Sequence, residues 1–302
     1  MRESLKTAVE NTIIFECRLP HKASGLERSC LSHEDDKCFR NDDSTELSRI
    51  IYNGIVEYAV NQYKINYDEL DKEQLQTIGR RINYRPSDTS QSKLKYGFYG
   101  EVLLDLILRC YMRTNVLLAR GYFYSPLENS EVKGFDAFHI IERDGKLNLW
   151  FGEAKFYICY KQAIKGVLNK IHTSLSDSYL QRNLIALIEH RERFTTPNNQ
   201  IEALLSAWEE NPSVNVIDEM NARNMSLIYP VFIAYEQTDK TNYLNNIKDC
   251  VDYIRELVDK SAIEIPATFD YRISFIFLPV SEVRQAKERV IEWIEAKEPL
   301  MS

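Results

Sequence analysis

The chain contains no run of about 18 or more apolar residues, so the sequence predicts no transmembrane helix. Its first residues, Met1-Arg2-Glu3-Ser4-Leu5-Lys6, lack the apolar core of a secretory signal, and a cytoplasmic protein is the expectation. A Gly-Lys-Ser/Thr phosphate loop is also absent, which excludes a P-loop ATPase. There is no internal repeat and no low-complexity tract. The six cysteines are Cys17, Cys30, Cys38, Cys110, Cys159 and Cys250, and their spacings match no common zinc pattern. Cys30, His33 and Cys38 lie close together, but their spacing is irregular and no fourth ligand is near, so reduced thiols are the simpler reading. Basic charge is short as well: 38 Lys and Arg stand against 45 Asp and Glu, for a net charge of −7. Neutralising phosphate supplies most non-specific nucleic-acid affinity. An acidic chain acting on DNA therefore needs a local basic groove or a partner that delivers the substrate.

What is present reads as globular protein. The 302 residues are 44% hydrophobic and 27% charged, enough for one large domain or two ordinary ones. Residues 9–19 contain a strand-like run, and the polar stretch 22–45 reads as a loop. Ser44 or Thr45 is placed to cap a helix over about 46–63, with Leu47, Ile50, Ile51, Ile55 and Tyr58 at helical spacing. A second helix is predicted over about 68–80. The polar segment 85–92 marks a boundary, giving an N-terminal extension (1–92) and a core (93–302). Within the core, 96–113 reads as an amphipathic helix with Leu103, Leu106, Ile107 and Cys110 on its apolar face. Residues 116–124 read as a strand, followed by turn residues near Pro126 and Asn129. A hairpin comes next, then a helical region over 159–191 broken near 174–178. Residues 227–235 and 273–279 read as buried strands, and 240–261 and 282–297 as helices with one exposed face. Strands alternating with helices in this order predict an α/β fold with a mixed central sheet flanked by helices.

The hairpin carries the chemistry. Residues 133–142 (KGFDAFHIIE) and 146–157 (KLNLWFGEAKFY) flank Arg143-Asp144-Gly145, and Asp-Gly between alternating hydrophobics is a strong hairpin signal. A two-residue loop sets Arg143 opposite Lys146, and the same register sets Asp136 opposite Glu153. Two carboxylates directly opposed on one sheet face repel, and a bound divalent cation turns that repulsion into a site. Glu153 and Lys155 share that face, Lys155 lies diagonal to Asp136, and Ala154 points the other way with its carbonyl as a further possible ligand. Hard carboxylates suit Mg²⁺ or Mn²⁺, and such an ion with a neighbouring lysine suits phosphodiester hydrolysis. An Asp and a Glu-x-Lys are also common on solvated hairpins. However, Phe135, Phe138, Trp150, Phe151 and Phe156 surround these residues, and idle charges are costly in such company. His139 stands an odd number of residues from Asp136, so it is expected to face away, packed or bonded to a partner.

The layout of an Asp near one strand and Glu-x-Lys on the next resembles the PD-(D/E)xK nuclease superfamily. The fuller strings GFYGE, KGFDAFH and LWFGEAKFY, within 97–162, are similar to the HamA family, effectors of the Hachiman bacterial antiphage system. The resemblance implies a restriction-endonuclease-like core in which Glu101, Asp136 and Glu153 hold metal. Lys155 would then act on the nucleophile or the scissile phosphate. It offers Gln162, at the start of the following helix, as a polar residue beside the site, and Asp105 as an alternative helix ligand to Glu101. It further implies a superfamily-2 helicase partner of the HamB type, which would bring DNA to an acidic nuclease. Residues 1–92 and parts of the C-terminal third are then expected to hold or gate the complex. Two other readings stay open: an inactive nuclease-fold scaffold, and an autonomous restriction-type endonuclease with its own basic groove.

Overall fold

The computed structural model describes residues 1–19, 37–41, 43–125, 130–131, 133–143, 145–237, 243–261 and 263–301. Cys30 and His33, most of the 22–45 loop, the turn residues Pro126 and Asn129, and Asp144 lie outside them. The chain opens with helix α1 (Glu3–Thr12), strands β1 (Ile14–Arg18) and β2 (Lys37–Arg40), and helices α2 (Ser44–Ala59), α3 (Leu70–Arg80), α4 (Ser90–Lys93) and α5 (Phe98–Cys110). Short strands β3 (Asn115–Val116), β4 (Tyr124–Ser125) and β5 (Ser130–Glu131) precede β6 (His139–Arg143), β7 (Lys146–Trp150) and β8 (Glu153–Tyr157). Four helices follow: α6 (Tyr160–Ser174), α7 (Asp177–Ile188), α8 (Asn199–Glu210) and α9 (Val216–Ala222). The chain then runs through β9 (Met225–Glu236), α10 (Tyr243–Ser261), β10 (Tyr271–Val280) and α11 (Val283–Ala296).

Eight strands form one mixed sheet in the order β1-β2-β10-β9-β7-β6-β3, with β8 also paired to β9. β9 and β10 run parallel along ten residue pairs and are buried almost throughout. This is why their sequences read as continuous apolar runs. Along β9 the side chains divide by parity. Leu227, Tyr229, Val231, Ile233 and Tyr235 join a core with α6–α10, whereas Ile228, Phe232 and Ala234 join a second core with α1, α2, α5 and α11. The sheet is thus the middle layer of three. Leu5 and Leu47 share the second core with Val102 and Val290, so residues on both sides of position 92 build it.

Local signals explain the elements and the departures from expectation. Asp43, not Ser44 or Thr45, caps α2: its carboxylate accepts from Thr45 N (2.8 Å) and Glu46 N (3.2 Å). Helix α5 is buried from Phe98 to Leu108 and is not amphipathic, because it is the central helix of its layer and packs on α1, α2 and β8. The expected strand over 116–124 is reduced to β3 and a 3-10 turn at Arg120–Phe123. Leu117 N donates to Phe138 O (2.8 Å), but Leu117 O accepts from Thr195 N (2.8 Å), which draws the chain off the sheet.

The hairpin register holds at its tip and fails at its base. Arg143 pairs with Lys146 and His139 with Trp150, as expected, and Gly145 takes the positive φ (70°) that its turn requires. The ladder ends there. Asp136 precedes β6 in an irregular stretch, and the expected direct opposition of Asp136 and Glu153 does not occur. The same stretch is also interrupted along β9. β7 and β8 follow β9 in one unbroken register, Trp150 against Ile228 and Glu153 against Val231, interrupted only at Phe151 and Gly152. Pro230 lies opposite that gap and has no N–H to give. A Cβ on Gly152 would stand 2.2 Å from Pro230 O, so only glycine passes. The break ends the hairpin strand and lets β8 begin afresh.

Candidate active site

The break in the ladder is also where the acidic residues meet. Asp136 N donates to Gly152 O (2.8 Å), and the Asp136 carboxylate accepts from Ala154 N (2.8 Å) through Oδ2. The aspartate therefore supplies, from its side chain, the bond that a paired strand would have given to the first turn of β8. Along β8, Ala154 and Phe156 are buried against α5, while Glu153 and Lys155 alternate to the other face. Gly100 makes the approach of α5 possible: a Cβ there would lie 3.3 Å from Phe156 Cβ and 3.5 Å from Ala154 Cβ. The next residue is Glu101, in the first turn of α5 and buried. Glu101 thus comes from one side of β8, Glu153 from the other, and Asp136 lies along the edge between them.

The electrostatics register this convergence. Asp136 is pushed up from its ordinary 3.8 to about 7, first by burial, then by the charges of Glu101 and Glu153. Lys155 and the Ala154 N–H oppose the rise. Burial works against the charge on Lys155, but Glu153 and Asp136 outweigh it and hold the ammonium above its usual range. Lys155 Nζ donates to Glu153 Oε1 and to Ala154 O (3.2 Å), so the Ala154 carbonyl is occupied by the lysine.

Three tyrosines complete the site, and the sequence reading did not single them out. Tyr58, from α2, donates to Glu101 Oε2. Tyr229, from β9, donates to Glu153 Oε2 (3.3 Å). Tyr179, from α7, packs edge-on against Phe135 with ring centroids 5.0 Å apart. Its hydroxyl is raised by burial and then by the charges of Glu153 and Asp136. Tyr58 and Tyr229 sit at apolar-periodic positions, where a tyrosine reads as core and its hydroxyl goes unnoticed.

The other sequence candidates lie elsewhere. Asp105 is one turn further along α5 and forms a separate buried cluster. Its carboxylate pairs with Arg109 (2.8 Å) and with His139 Nε2 (2.9 Å), while His139 Nδ1 meets Thr114 Oγ1 (2.9 Å). Burial resists the charge on Asp105, yet Arg109 and His139 hold it below the usual carboxylate range. Burial likewise keeps His139 below its ordinary value. His139 turns to α5 rather than to Asp136 and Glu153 and is bonded on both nitrogens, although Asp136, outside β6, shares no strand alternation with it. Gln162 is exposed in the first turn of α6, with no side-chain hydrogen bond among the described residues. Cys38 is buried against Tyr243 Oη (2.8 Å), opposite Cys17.

Among the described residues, no group of three or more His, Cys, Asp or Glu stands ready to hold a metal ion. The donor set nonetheless suits a hard divalent cation in kind. Asp136 and Glu153 both act on the Lys155 ammonium, and Asp136 is disfavoured as an anion by burial and then by Glu101 and Glu153. In the state described, Glu101 is turned to Tyr58 and Glu153 to Lys155.

The HamA family model matches residues 8–294, nearly the whole chain. The chain belongs to the HamA family. HamA membership points to a component of Hachiman antiphage defence. The match spans 1–92 as well as the core, apart from the first seven residues, so the HamA unit includes the strands and helices on both sides of position 92. No curated protein and no solved structure matches the chain. Among the described residues, no helix is long and apolar enough to cross a membrane.

Proposed function

We propose that this HamA chain is a metal-dependent DNA nuclease, with a PD-(D/E)xK-type core built on β6, β7, β8 and α5. The observation that carries the reading is the meeting of Glu101, Asp136, Glu153 and Lys155 where the ladder breaks, with Asp136 driven to about 7 by burial and its acidic neighbours. Glu101, Asp136 and Glu153 would hold Mg²⁺ or Mn²⁺, which when bound polarises a phosphoryl oxygen and makes a water more acidic. Asp136 is fixed at two points, Gly152 O and Ala154 N, so it is oriented before substrate arrives. Lys155 keeps its proton beside Glu153 and offers positive charge to a phosphate whose negative charge grows in the transition state. Tyr58 and Tyr229 each hold one acidic side chain in place.

The net charge of −7 favours delivery of DNA by a partner, and a HamB-like superfamily-2 helicase supplies that role in a Hachiman complex. The test is cleavage of plasmid DNA in Mg²⁺, with and without the helicase and ATP. Lys155→Ala and Glu153→Ala are expected to lose about a hundredfold or more in rate while retaining the wild-type circular dichroism spectrum. Wild-type cleavage by both variants refutes the assignment. A second reading, an inactive scaffold with this fold, draws on the hydrogen bonds that already engage all three carboxylates. A thermal shift with Mg²⁺ that Asp136→Asn abolishes argues against the scaffold; no shift argues for it.

A further inference from the structure

A cavity of about 430 Å³ opens beside the acidic residues, within the range of small-molecule sites. Its lining includes Arg120, Lys133 and Arg182 and no carboxylate, in a chain whose net charge is −7. Among the described residues, neither Lys133 nor Arg182 forms an ion pair, and both are exposed. The floor is aromatic: Phe123 and Phe138 lie with ring centroids 4.9 Å apart, and the Arg120 guanidinium stands 5.3 Å from the Phe123 ring. Cations at the rim and aromatic carbon at the base match the two halves of a nucleotide, its phosphate and its base.

The cavity is joined to the acidic centre. Lys133 and Gly134 belong to the segment that carries Asp136. Asn183, another lining residue, accepts from Phe135 N (3.2 Å) and donates to Tyr179 O (2.9 Å), tying that segment to α7. Tyr179 lines the cavity while its hydroxyl feels both Asp136 and Glu153. A duplex keeps its bases stacked inside and cannot turn one of them into a half-open pocket. A nucleotide splayed from a single strand can.

We propose that this cavity binds one unpaired nucleotide of the strand being cut, with the phosphate on Lys133 and Arg182 and the base against Tyr179 above the buried Phe123–Phe138 floor. The assignment rests on the nuclease reading for the role of the strand, but binding is measurable without cleavage. The probes are a dye-labelled oligothymidylate, a duplex of the same length and dTMP, followed by fluorescence anisotropy on the full chain in EDTA. Oligothymidylate is expected to bind more tightly than duplex. Arg182→Glu and Lys133→Glu each weaken it about tenfold and make it less salt-dependent. Lys248→Glu, the same charge change on exposed α10, leaves affinity near wild type. Arg182→Gln with unchanged melting guards against misfolding. Wild-type affinity in both charge reversals, or no oligothymidylate binding, overturns the pocket and leaves the nuclease reading untouched. Arg182-dependent binding of dTMP without the oligonucleotide overturns the strand as its source. Arg182-dependent oligonucleotide binding by a chain that cuts no DNA even with the helicase, Mg²⁺ and ATP upholds the pocket and removes the nuclease reading.

Discussion

Replacing Asp136 with asparagine is expected to stabilise the protein while destroying its activity. Asp136 titrates at about 7 in the folded chain against an ordinary 3.8, because burial, Glu101 and Glu153 disfavour its anion. At about 1.36 kcal/mol per tenfold change in proton affinity, the ionised carboxylate costs the folded state on the order of 4 kcal/mol. Asparagine removes that cost but is a weaker acceptor for Ala154 N, which returns about 1–2 kcal/mol. The net gain is on the order of 2 kcal/mol at pH 8. The sign follows from the raised folded value. Below about pH 4 the carboxyl is protonated both folded and unfolded, so no cost exists. From there the unfolded chain sheds its proton first, and wild-type stability falls until pH passes 7. Asp136→Asn should therefore match or slightly trail wild type at pH 4 and exceed it at pH 8, measured by urea midpoint in EDTA. Added Mg²⁺ should narrow the difference at pH 8 by stabilising wild type alone. A variant no more stable than wild type at pH 8 refutes the account of a strained acidic centre.

Gly152→Ala is expected to cost about 3 kcal/mol in urea denaturation, because its Cβ meets Pro230 O, a backbone atom that cannot yield cheaply. Arg2→Ala should cost about 3–5 kcal/mol by the same assay, since it strands the buried Glu57 carboxylate, which Arg2 Nε meets at 2.7 Å. Lys287 is buried, with its pKa lowered to about 8 by burial, so the folded chain releases this proton before the unfolded chain does. Wild-type stability should gain from this group as pH rises from 8 toward 10.5, and Lys287→Met should lack that gain in melting curves across the range.

Much of the fold was legible because burial on both faces writes continuous apolar runs, and β9 and β10 fell where 227–235 and 273–279 indicated. The break between α6 and α7 was signalled by its serines, and Ser176 is in fact the cap of α7. Helices α8 and α9 were not anticipated, although Asn198 and Asn215 cap them in the ordinary way. Strand β2 does not show in the sequence because Lys37, Cys38, Phe39 and Arg40 are too few to make a period, and it is held by pairing with β1 and β10. At the candidate site, the hairpin tip gave the register correctly, but the base could not be read from the hairpin alone. Opposite the gap at Phe151 and Gly152 stands Pro230, some 80 residues away, and no local pattern announces it.

That interruption has a consequence for how the molecule can vary. Asp136 is moored to Gly152 and Ala154, not to the ladder of β6 and β7. The hairpin from His139 to Trp150 is therefore a closed excursion that leaves from one side of the acidic centre and returns to the other. Lengthening or shortening its tip by paired residues should leave Asp136, Glu153 and Lys155 where they stand. Shifting Pro230 by one place along β9 would carry them all away.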